Sequence, residues 1–288
     1  MKPLLDLHQH ASVFCGGILH PQRLNHPEGL CVDSRDGSLW CGGEGGELYH
    51  VSADGGRIET VACTGGFLLG VTMDSRHRLY LCDLHHQAVF VYDDQGRQLA
   101  KLTSEGLVLP NFAVLSHDER FLYVSNTCRS GGPGIFRFEL STGKGTLWMS
   151  ESCLSANGLA LSPAGDALYL VESHLPGVTR VPILPDGRAG AKELFLALPG
   201  DEPDGLAFHP GGDLYISIYN PSKIYRWSFV RARLDLLIED ESTDLLHHPT
   251  NLAFRSPDEL FSANLGAWHL TRVETPHSAL PPPNSALA

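Results

Sequence analysis

The chain has 288 residues, and its 33 acidic against 21 basic side chains leave a formal charge of −12. No lysine and arginine cluster of the kind a phosphate backbone needs is present, which argues against a nucleic-acid partner. There is neither a run of 18 apolar residues nor a basic start followed by an apolar core over Met1 to His10, so the sequence reads as a cytoplasmic protein with no membrane partner. Seven cysteines form an odd set without a C-x-x-C pair, which suits core thiols such as Cys31 and Cys82 better than a disulfide framework or a zinc ribbon.

In chain order, His8 and His10 come first, one residue apart, as metal ligands at the end of a barrel strand would be. A (β/α)8 barrel needs long helical patterns between its strands, and none follows. Ala11 to Cys15 is strand-like but belongs to no complete unit. From Glu28 onward one phrase recurs: a turn, a short apolar strand, a second Gly- or Asp-containing turn, then a strand with a large residue near its start. Aligned on the residue before the first strand of each copy, the repeats fall at Glu28, Leu69, Asn111, Asn157, Asp204 and Asn251, spaced by 41, 42, 46, 47 and 47 residues. Units of this size with four strands are propeller blades, each of which needs its neighbours to bury its faces.

The second strands carry Leu39-Trp40, Leu79-Tyr80, Leu122-Tyr123, Leu168-Tyr169, Leu214-Tyr215 and Leu260-Phe261, and an alternating third strand follows each. Outer strands show at Gln98 to Leu102 and Leu234 to Ile238. The sixth unit has none, because after Val273 the chain runs into Thr275-Pro276 and a proline-rich stretch. The spare Ala11 to Cys15 strand fills that edge and closes the ring, which removes an exposed strand edge. The expected architecture is therefore all-β: one six-bladed propeller over residues 1–274, with a tail over 275–288.

In an up-and-down blade the inner strand starts on the face to which the second strand returns. The alignment positions then ring one mouth of the central channel. Glu28, Asn111, Asn157 and Asp204 bring two carboxylates and two amide oxygens there from four blades. All-oxygen donors suit a hard divalent cation, Ca²⁺ first, with Mg²⁺ or Mn²⁺ next and Zn²⁺ less typical. Asn-Gly and Asp-Gly are also ordinary turn formers, but Leu69 shows that the repeat does not require a polar residue at this place. Loop residues His85, His174, Tyr219 and His248 point to the same mouth as candidate substrate contacts, the histidines being able to carry protons near neutral pH.

The pattern resembles the six-bladed propellers of the regucalcin and gluconolactonase family, nearly throughout Glu28 to Val273. Asn157-Gly158-Leu159 and Pro203-Asp204-Gly205 are the nearest motif matches. The resemblance implies one divalent ion held by Glu28, Asn111, Asn157 and Asp204, and Asp204 as general base. Members that open sugar lactones carry an arginine two places before the third-blade asparagine and an aspartate after it; Leu109 and Phe112 stand here, and they are taken as substrate contacts. A proline and a tryptophan after the glutamate are replaced by Gly29 to Val32. The expected activity is metal-dependent hydrolysis of a lactone or related ester less polar than a sugar lactone. A phosphorus ester or fluoride as substrate, and a non-catalytic binding propeller, are the competing expectations.

Overall fold

The computed structural model describes residues 1–276. The proline-rich tail expected from 275 lies, from 277 on, outside the described residues. Six four-stranded antiparallel sheets are arranged as blades, five of them taken in simple sequence order. Their inner strands are Leu30–Val32, Leu68–Met73, Pro110–Leu115, Ala156–Leu161, Glu202–Phe208 and Pro249–Ser256. In the sixth sheet the outermost place is taken by Ala11–Gly16, which pairs antiparallel with His269–Glu274, Ala11 opposite Val273 and Gly16 opposite His269. The N-terminal strand thus closes the ring as expected. Ahead of it Leu4 and Leu5 donate backbone hydrogen bonds to Leu236 and Leu237 of the fifth blade's outer strand, and Leu5 is buried there. His8 and His10 lie in a one-turn helix, Leu7–His10, capped by Asp6.

The large residue near the start of each second strand holds neighbouring blades together. Trp40 packs with Leu79 and Leu81, Tyr80 with Ala113 and Leu122, and Tyr123 with Leu159 and Leu168. Tyr169 packs with Leu206 and Leu214, Tyr215 with Leu252 and Leu260, and Phe261 with Leu30 and Leu39. Six apolar clusters therefore fill six seams, and every blade leans on the next. Burying a large aromatic stabilises each seam by roughly 1.5–3 kcal/mol. Cys15, Cys41, Cys82 and Cys153 are buried within these seams, whereas Cys63 is exposed.

Glycines let the inner strands approach. A methyl carbon on Gly158 would lie 2.6 Å from the carbonyl oxygen of Asp204, and one on Gly205 would lie 2.3 Å from that of Thr250. Gly29 and Gly70 stand in the same relation to Leu69 and Asn111. The residue just before each of these glycines is an alignment position, so the close approach that glycine permits is what draws those residues together at the channel.

Candidate metal centre

At the mouth, second strands end on buried polar residues that pin the loops. Asn126 accepts from the backbone N–H groups of Val108 and Leu109, Glu172 from that of Leu154, and Asn264 from that of His247. Asp83 accepts from His86 N–H and the Thr64 hydroxyl. These groups are satisfied by the frame.

The alignment positions behave differently. Asn157 spends its amide N–H donors on Asp204 Oδ2 at 3.1 Å and Ser173 Oγ at 3.2 Å, and Ser173 in turn donates to the Pro203 carbonyl. Asn251 spends its donors on Glu28, at 3.0 Å to both the backbone oxygen and Oε2. What remains is a set of buried oxygens without partners among the described residues: Asn111 Oδ1, Asn157 Oδ1, Asp204 Oδ1 and Asn251 Oδ1. A buried acceptor left unmade costs about 1–3 kcal/mol, so four at equivalent starts of inner strands call for an explanation.

Charge points the same way. Burial pushes the Asp204 carboxyl up to about 7, against the opposing pull of its bond from Asn157. Glu28 is raised well above the usual carboxylate range by burial and by the Asp204 carboxylate, with the Asn251 bond acting in the opposite sense. Two mutually repelling carboxylates that share a buried site with orphaned amide oxygens fit a hard divalent cation, which would satisfy the oxygens and offset both charges. Among the described residues no three His, Cys, Asp or Glu side chains gather for a metal, because the donors here beyond the two carboxylates are amides.

The structure therefore joins Glu28, Asn157 and Asp204, and places Asn111 on the third blade's inner strand with the same kind of unpartnered oxygen. Sequence reasoning aligned Asn251 with these four and left it out of the donor set. It also passed over Ser173, which no repeat position marks.

The expected substrate contacts are spread around the rim. His248 is half-buried with its ring stacked on Tyr219 at 4.5 Å, and its Nδ1 donates to the Tyr219 carbonyl at 2.9 Å. The Tyr219 phenol is pushed up by burial and then by the Asp204 and Glu202 carboxylates, which places it within reach of the site's field. His174 is exposed and meets Ser155 Oγ through Nδ1 at 2.5 Å. His85 is exposed, edge-on to Phe67. Leu109 is half-buried, its carbonyl accepting from Thr127. Phe112 packs into the seam with Tyr123 and Leu159.

A six-bladed propeller with an all-oxygen cluster at one mouth is the class these features define. Residues 128–261 match the model of the SMP-30/Gluconolactonase/LRE-like region, in line with the resemblance read from the sequence. No curated protein matches it. Among solved structures, a gluconolactonase from Xanthomonas campestris is 18% identical with a TM-score of 0.75, covering 92% of this chain and 89% of that one. Regucalcin from Agrobacterium tumefaciens, a calcium-binding protein, is 18% identical at 0.70, covering 90% and 93%. A catalytically inactive virginiamycin B lyase from Staphylococcus aureus is 15% identical at 0.63, covering 88% and 82%. At such identities the likeness speaks for the propeller fold. Among the described residues no helix is long and apolar enough to cross a membrane.

Proposed function

We propose that this chain is a metal-dependent hydrolase of lactones or related esters that are less polar than sugar lactones. The observation that carries the reading is the cluster of unpartnered buried oxygens on Asn111, Asn157 and Asp204 beside the raised Glu28 carboxyl. These residues would hold one divalent ion, with Ca²⁺ preferred for oxygen donors of this kind. When bound, such an ion supplies Lewis-acid polarisation of a carbonyl and acidification of water.

The chain's own part is the proton and the pocket. Asp204 accepts the proton of the attacking water; Asn157 holds its carboxylate through the bond to Oδ2, and Ser173 in turn holds Asn157 and the Pro203 carbonyl. A carboxyl near neutrality in its proton affinity is suited to general base work. Leu109 offers ring hydroxyls no guanidinium for bidentate binding, which favours a less polar ring. A regucalcin and a gluconolactonase among the fold neighbours support the metal and the lactone respectively.

The test is a panel of alkyl γ- and δ-lactones, aldonolactones and phosphorus esters, assayed with and without added Ca²⁺, Mg²⁺, Mn²⁺ or Zn²⁺. Alkyl lactones should show the highest kcat/KM, and a chelator should abolish turnover. Higher kcat/KM for gluconolactone would overturn the substrate class. If the metal-loaded protein turns over nothing in the panel, the channel is a binding site and the hydrolase reading falls.

A further inference from the structure

We infer that Asn251, from the sixth blade, is itself a metal ligand, so that five residues rather than four surround the ion and the site is closed across the seam where the last blade meets the first. This rests on the metal-binding reading above.

Asn251 is 1% exposed and occupies the repeat position that Glu28, Asn111, Asn157 and Asp204 occupy in their own blades. Its amide orientation is determined by its surroundings. Both acceptors near it, the backbone oxygen and Oε2 of Glu28, lie on one side at 3.0 Å, so the NH₂ group must face them. The reversed amide would set oxygen against oxygen. Oδ1 is thereby turned away from Glu28, is buried, and has no partner among the described residues. It lies beside the residue after Asp204: a methyl carbon on Gly205 would come within 3.0 Å of it.

Asn157 shows the same device one carboxylate away. Its NH₂ group is bound to Asp204 Oδ2 while its Oδ1 is left free. The two amides therefore form two equivalent pairs, Asn157 with Asp204 and Asn251 with Glu28. If Asn251 only steadied Glu28, nothing would compensate the desolvation of its carbonyl oxygen. The fold does not demand a polar group at this position, since the second blade has the buried Leu69 there. Two carboxylates and three neutral amide oxygens balance a divalent charge. Five protein oxygens leave one to three of the roughly six to eight positions of Ca²⁺ for water and substrate.

The test uses Tb³⁺ as the probe ion on the full chain, with luminescence lifetimes in H₂O and D₂O counting the waters on the bound ion. Asn251→Ala should raise that count by about one and weaken binding by roughly tenfold or more. Asn251→Asp keeps an oxygen where Oδ1 stands but cannot donate to Glu28, and should retain the parental count; it serves also if the alanine variant fails to fold. Weaker binding by Asn251→Ala with an unchanged count would show that Asn251 only positions Glu28, which overturns the inference, as would a water gained by Asn251→Asp. A parent that binds no Tb³⁺ or Ca²⁺ overturns the metal reading itself, whereas a parent that binds while both variants match it overturns only the assignment of Asn251.

Discussion

Asn251 donates from Nδ2 to the backbone oxygen and to Oε2 of Glu28, each at 3.0 Å, although 223 positions separate the two in the chain. Thr250 adds a hydroxyl bond of 2.6 Å to the same backbone oxygen. The candidate site is thus built partly from the contact that closes the ring. Anything that loosens the seam between the first and sixth blades should loosen the site with it.

Deleting residues 1–18 tests that coupling. The deletion removes Ala11–Gly16 from the edge of the sixth sheet, and with it the buried Leu5 and its backbone bonds to the fifth blade. An uncovered edge beside His269–Glu274 is a template for pairing with other chains. The truncated protein should aggregate or lose cooperative melting. A soluble truncation with an unchanged melting temperature would show that closure does not depend on this strand.

Stability of the ion-free protein should fall as pH rises. Asp204 is pushed up to about 7 and Glu28 is raised by burial, so the folded chain holds protons at these sites that the unfolded chain has released. The folded state then loses stability between the ordinary carboxyl range near pH 4 and about pH 7. With chelator present, the melting temperature should drop by on the order of 5 °C or more from pH 5 to pH 8. Millimolar Ca²⁺ should raise it far more at pH 8 than at pH 5, because protons compete for the same oxygens. Asp204→Asn should flatten the chelated profile. An equal slope in parent and variant would place the pH dependence elsewhere.

Much of this was legible in the sequence, and for a physical reason. The repeat must place one aromatic in each seam and one turn before each inner strand, so Trp40, Tyr80, Tyr123, Tyr169, Tyr215 and Phe261 mark the period and Glu28 to Asn251 follow from it. The closing strand was legible because the sixth unit ends at Val273 without an outer partner. The rest depends on side-chain direction. That Asn126 and Asn264 spend their amides on loop backbone while Asn157 and Asn251 keep an oxygen free is set by which N–H groups lie within 3 Å or so, and no spacing encodes that. Phe112 is likewise claimed by the seam with Tyr123 and Leu159.

The glycine after Asn157 gives a structural test of convergence. Gly158→Ala puts a methyl carbon 2.6 Å from the Asp204 carbonyl oxygen and 2.7 Å from the Gly205 α-carbon, both backbone atoms that cannot rotate away. The inner strands of the fourth and fifth blades must separate. A cost of about 1–3 kcal/mol or more is expected, with weaker Ca²⁺ binding because Asn157 and Asp204 move apart. A variant that melts and binds Ca²⁺ like the parent would mean that the strands have room the structure does not show.

The division of labour between Asp204 and Asn157 is the last test, and it separates proton transfer from ion binding. Asp204→Asn keeps an oxygen and nearly the same volume but removes the proton acceptor. Hydrolysis of the best lactone should fall by roughly a hundredfold to ten-thousandfold, while Ca²⁺ still binds, though more weakly for the lost charge. Asn157→Asp does the reverse: it removes the N–H that donates to Asp204 Oδ2 and sets a third carboxylate beside the pair. The bond lost is the one that lowers the proton affinity of Asp204, so Asp204 should titrate higher and the rate against pH should shift towards alkaline values. Its Ca²⁺ affinity at pH 8 should be preserved or increased, because the added charge faces the cation. Calorimetric Ca²⁺ titrations and kcat/KM profiles from pH 5 to pH 10 read both effects. Near-parental hydrolysis by Asp204→Asn with its ion bound would remove Asp204 from the role of base, and an unshifted profile in Asn157→Asp would mean that the Asn157 bond does not set the proton affinity of Asp204.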